Sequence, residues 1–131
     1  MELYREKERN KDFFDTCEGI RRDNRPNYVS VENIASGAVL KEAQSFYLNT
    51  EIYARIINKV RCGYLSGVKN SLKRQMYVEI HKRYIRIKRE NPTFNAMDCA
   101  RIIAEQKAPR FYISPRHAVN LYYRLLKNNP K

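Results

Sequence analysis

Two stretches decide how this chain is read: residues 107–128, KAPRFYISPRHAVNLYYRLLKN, and residues 42–63, EAQSFYLNTEIYARIINKVRCG. Laying Phe46-Tyr47 over Phe111-Tyr112 fixes an offset of 65 residues. Under that offset only Ala35/Ala100, Ala43/Ala108, Phe46/Phe111 and Tyr47/Tyr112 are identical between residues 28–63 and 93–128. The residues that punctuate local structure nevertheless coincide. Ser30 lies over Asn95, each able to accept a hydrogen bond from a free amide at a helix start. Asn33 and Asp98 follow at the third helical position, and Val29 and Phe94 precede the caps as staples for Ile34 and Cys99. Asn49 over Ser114 forms a second pair of caps, followed by Thr50 and Pro115, and proline suits a first helical turn. Gly63 lies over Asn128, the two residue types that best tolerate the left-handed conformation closing a helix.

Each copy therefore reads as helix, connector, helix. The first helices carry the apolar pairs Ile34/Cys99, Ala35/Ala100, Ala38/Ile103 and Val39/Ala104. The second carry Tyr53/Ala118, Ile56/Leu121, Ile57/Tyr122 and Val60/Leu125, and both sets follow helical spacing. The connectors KEAQSFYLN and QKAPRFYIS are too long for a tight turn, and their Phe-Tyr pairs are expected to plug a hairpin core. Pro109 keeps Ala108 extended. Between the copies, Leu72, Met76, Ile80, Tyr84 and Ile87 mark a helix over 69–91, with Lys82, Arg86 and Arg89 in a row on its other side. Residues 1–25 are expected to form an amphipathic helix through Phe13, Phe14, Cys17 and Ile20, ending before RRDNRPN. The expected fold is all-α: duplicated helix-connector-helix units at 28–63 and 93–128 around a basic central helix, plus the amino-terminal helix, in one compact domain.

Charge is the strongest global property. Across 131 residues, 26 Lys and Arg stand against 14 Asp and Glu, a net charge of +12. Residues 1–29 are balanced, so the whole excess lies in 30–131 and points to an acidic partner, with nucleic acid first and DNA favoured over RNA. The three cysteines are scattered and lack metal-ligand spacing, so they are expected to be buried thiols rather than disulfides or a zinc site. No run is long and apolar enough for a membrane span, and the amino terminus is charged where a signal peptide is apolar. A cytoplasmic chain without cofactor or metal is expected, and no membrane partner.

The downstream second helix carries the candidate site. Arg116, Asn120, Tyr123 and Lys127 recur at four, three and four residues, which places them on one face, with Arg124 beside them and Arg110 in the connector. Arg and Asn make paired hydrogen bonds to base edges, Lys and Arg neutralise phosphates, and Tyr stacks or donates to phosphate. The corresponding upstream row, Glu51, Arg55, Asn58 and Cys62, is close to neutral, so one copy is expected to bind and the other to pack. Lys82, Arg86 and Arg89 extend the candidate nucleic-acid-binding set. A tyrosine nucleophile could be assembled from Tyr112, Arg116 and His117, but a chain with ten tyrosines supplies such a trio by composition alone. No enzyme is expected. The alternative is a structural or assembly protein, such as a virion component or adaptor. Its basic face would dock an acidic protein, and its near-neutral amino-terminal helix would mediate contact with a neighbour or a second copy.

The string APRFYISPRHA, residues 108–118, followed by a short helix, resembles a motif of small basic proteins from anaerobic gut bacteria, their mobile elements and phages. In those proteins an A-P-x-F-Y unit occurs near both ends of a basic middle helix. The resemblance spans residues 28–128 and implies the doubled architecture and a phage or mobile-element setting. The upstream copy departs from the motif, with Gln44 and Thr50 at the positions of Pro109 and Pro115.

Overall fold

Helices begin where the capping chemistry lies. The computed structural model describes residues 5–128, and its order is α1 (Glu6–Asp23), α2 (Val31–Ala38), α3 (Thr50–Arg61), a 3-10 turn (Tyr64–Gly67), α4 (Ser71–Glu90), α5 (Ala96–Ala104) and α6 (Pro115–Asn128). No strand occurs among the described residues, and the class is all-α. Ser30 caps α2 by accepting from the Asn33 amide at 3.2 Å. Asn95 caps α5 within a reciprocal box: its side chain accepts from Asp98 N at 2.8 Å while Asp98 accepts from Asn95 N at 3.1 Å. Ser114 accepts from His117 N at 3.2 Å at the start of α6. Asn49 holds the cap position of α3 without a side-chain cap hydrogen bond. Gly63, at φ 81°, closes α3 in the left-handed conformation, whereas α6 runs on through Asn128.

Two boundaries differ from the sequence expectation. Residues 1–4 of the amino-terminal segment lie outside the described residues. At its other end α1 continues through Arg21 and Arg22, which fill the last turn where cations favour the helix dipole. The long helix over 69–91 is Ser71–Glu90, capped by Asn70, and buries Met76, Tyr77, Ile80, Tyr84 and Ile87.

The helices form two compact units. In one, α3 packs against α4 and α5, and α4 against α5. In the other, α2 packs against α1 and α6, and α1 against α6. The expected hairpins are thus corrected: each divides, giving one helix to each unit. The reason is the length of the connectors, residues 39–49 and 105–114, which lead the chain onward instead of folding it back. Each unit combines a long helix, the short capped helix that follows it and a third helix: α3, immediately upstream of α4, in one, and α6, from a distant part of the chain, in the other. The starts of α1 and α4, of α2 and α5, and of α3 and α6 all keep the offset of 65 residues.

Within the unit of α1, α2 and α6, the connectors meet at one antiparallel pair, Ala43 and Ala108. Their reciprocal N–H···O bonds measure 3.0 and 2.9 Å, and both alanines are buried. A methyl group leaves room for backbones to approach. Phe111 N donates to Val39 O at 3.0 Å, and the Phe111 ring meets Phe13 of α1 edge-on at 5.7 Å. Phe46 stacks on Tyr112 at 5.9 Å. Phe46, Phe111 and Tyr112 therefore serve the α1–α2–α6 core and the connectors, not the interior of a hairpin, whereas Tyr47 belongs to the other unit, with Arg5 over its ring at 5.7 Å. In the other unit, Tyr53, Ile57, Ile80, Cys99 and Ile103 are fully buried. Cys17 and Cys99 are buried as expected, but Cys62 at the end of α3 is exposed.

Candidate nucleic-acid interface

Packing decides which face of α6 remains available. Ala118, Leu121 and Tyr122 turn inward, and Tyr122 is fixed by its hydroxyl, which donates to Glu18 Oε1 of α1 at 3.1 Å, and by Arg21 over its ring at 5.5 Å. With those positions inside, Arg116, Asn120, Tyr123, Arg124 and Lys127 face solvent. Arg116, Arg124 and Lys127 have no carboxylate partner among the described residues. Cations elsewhere do: Arg21 with Glu18, Arg83 with Glu79, Arg101 with Asp98 and Lys107 with Glu42, at 3.9, 2.8, 3.5 and 3.6 Å. Arg110 is half-buried and more constrained. Its Nε donates to Phe111 O at 3.1 Å and its guanidinium lies over Tyr112 at 5.9 Å.

α1 adds a cation that periodicity alone did not single out. Arg9 is half-buried and donates from Nε and Nη2 to Asn10 Oδ1 at 3.3 and 3.1 Å. Burial lowers its pKa from the ordinary arginine value; Glu6 opposes that shift and Arg124 reinforces it. The Arg124 influence places positive charge of α6 near Arg9 of α1.

Comparison with protein-family models, curated proteins and solved structures gives no match.

Tyr123 is 50% exposed, and its hydroxyl donates to Glu32 Oε1 in the first turn of α2 at 3.0 Å. That bond, then the Glu32 charge, raises the Tyr123 pKa, with a smaller contribution from nearby Tyr28. Tyr28, in the connector between α1 and α2, is 89% exposed. Neither Glu32 nor Tyr28 stood out in the sequence, because a lone residue in a connector or on the polar side of a helix's first turn carries no periodic signal.

The second candidate row belongs to the other unit. Lys82, Arg86 and Arg89 are exposed on α4 and have no ion-pair partner among the described residues. Val78 and Ile85 are interleaved with them, 46% and 43% exposed. The row on α3, Glu51, Arg55, Asn58 and Cys62, is also solvent-facing. Among the described residues no three His, Cys, Asp or Glu side chains are arranged to hold a metal, and no helix is long and apolar enough to cross a membrane. The apolar stripe of α1 is occupied internally, with Phe13 and Cys17 fully buried and Phe14 6.2 Å from Tyr122.

Proposed function

We propose that this chain is a non-enzymatic nucleic-acid-binding protein of the cytoplasm that grips phosphates through the α6 face. DNA is the favoured polymer, in the setting of a regulator or a phage or mobile-element accessory. The observation that supports this reading is the exposed row Arg116, Arg124 and Lys127, free of carboxylate partners among the described residues, with Asn120 inside it and Arg9 beside it. Unpaired cations on one rigid helix face match a polymer with regularly spaced negative charge. Asn120 and Arg116 supply base-edge contacts.

Anisotropy titrations with duplex DNA and duplex RNA across a salt series test the reading. Affinity is expected to fall linearly on logarithmic axes as salt rises. Arg116→Ala and Lys127→Ala are each expected to weaken binding to all sequences and to reduce the salt slope by about one. Salt-independent binding, or unchanged affinity in both variants, overturns it.

A second reading rests on α4. Val78 and Ile85 among Lys82, Arg86 and Arg89 make a surface partly apolar and wholly cationic, which fits an acidic amphipathic protein segment in an assembly better than bare phosphate. Under that reading Val78→Ser with Ile85→Ser abolishes binding to the acidic partner, and the α6 substitutions leave it unchanged.

A further inference from the structure

We propose that Tyr28 and Tyr123 form a stacking platform that makes unpaired bases, rather than duplex, the preferred ligand of the α6 face. This rests on the nucleic-acid reading above and narrows it to single strands. The geometry starts from Glu32. Its carboxylate holds the Tyr123 hydroxyl at 3.0 Å, which anchors the amino-terminal turn of α2 against the middle of α6. Tyr28 lies two residues before Ser30, the cap of that same turn, and four before Glu32, which holds the Tyr123 hydroxyl. The influence of Tyr28 on the titration of Tyr123 agrees with that placement.

Exposure is the unusual feature. Most tyrosines of this chain that flank the core are buried at least in part, whereas Tyr28 is 89% and Tyr123 50% exposed. A single open ring is ordinary. Two together, beside Asn120 and the unpaired cations Arg116 and Lys127, combine flat apolar faces with phosphate-neutralising charge. Duplex bases present edges and keep their faces stacked on each other, so rings of this kind find no partner there. Unpaired bases offer both face and edge. Glu32 and Asn120 then meet base edges: the carboxylate accepts from exocyclic amino groups, and the amide both donates and accepts.

The test uses the full chain and three labelled probes matched in phosphate number: a deoxythymidine strand, an abasic strand and a duplex. The wild type is expected to bind the deoxythymidine strand tighter than the other two. Tyr28→Ala is expected to weaken that complex roughly five- to a hundredfold, as for loss of one stacked base, and to leave the abasic and duplex complexes unchanged. Tyr28→Trp is expected to retain it. Equal affinity for deoxythymidine and abasic strands, preference for duplex, or no effect of Tyr28→Ala on any probe overturns the stacking platform and leaves the phosphate reading standing. Failure of the wild type to bind any probe overturns both.

Discussion

Cys17 shows what burial does to one side chain. Its thiol is fully enclosed, and burial, with Glu18 adding and Arg21 opposing, pushes its pKa from the ordinary 9.0 up to about 12. Unfolded, the thiol ionises near 9.0, so above that pH the unfolded chain releases a proton that the folded chain keeps. Stability therefore falls as pH rises from 9.0 towards about 12. The Tyr122 hydroxyl, raised by burial and by Glu18, acts in the same sense. Urea midpoints measured across that range are expected to drop, and Cys17→Ala is expected to make the decline shallower; an unchanged slope contradicts this. At this scale the sequence was informative where a residue performs a local chemical task. Ser30, Asn95, Ser114 and Gly63 all do so through groups within three residues of them. Tyr28, Glu32 and Arg9 were not legible, because their importance comes from α6, a hundred residues or so along the chain, and no local pattern encodes that neighbour.

Helices were legible as elements but not as partners. The rows Leu72–Met76–Ile80–Tyr84–Ile87 and Ala118–Leu121–Tyr122 gave period and inward face, since burial of an apolar stripe is a one-helix property. Which helix covers the stripe depends on connectors, and there the hairpin expectation failed. The likeness of α1 to α4 was also hidden. Their starts keep the 65-residue offset, but their buried rows do not: under it Phe13 and Cys17 of α1 fall on exposed Val78 and Lys82 of α4, which instead buries Met76, Tyr77, Ile80, Tyr84 and Ile87. The connector after α1, residues 24–30, is two residues longer than that after α4, residues 91–95. Gly63 offers the cleanest test of an element boundary. A Cβ there would meet nothing within 4 Å, so any cost of Gly63→Ala is backbone strain at φ 81° and not crowding. Thermal or urea denaturation is expected to show a loss of about 1 kcal/mol for Gly63→Ala and less for Gly63→Asn. Equal stability of the alanine variant removes the left-handed closure of α3 from the account.

For the molecule as a whole, a net charge of +12 raises the expectation of an acidic partner without saying where it would sit. The surplus charge divides between both units, and only packing reveals which cations have carboxylates of their own. Unit membership carries a further lesson. Tyr47–Gln106 is contiguous apart from the extreme amino-terminal residues, while Glu6–Phe46 must join a segment that begins at Lys107. Contacts so distant in sequence close slowly, since the intervening chain must be ordered or looped first. Pulse-labelled hydrogen exchange is expected to protect α4 and α5 before α1 and α2; simultaneous protection contradicts that order.

On the ribosome the same arrangement sets a schedule. α1 and α2 emerge early with Phe13, Ile34 and Ala38 prepared for a helix that has not yet been translated, and they wait until the stretch ending at Asn128 leaves the exit tunnel. Nascent chains stalled before Pro115 are therefore the species most in need of a chaperone, and a truncation that removes α6 harms α1 and α2 more than the segment next to the cut.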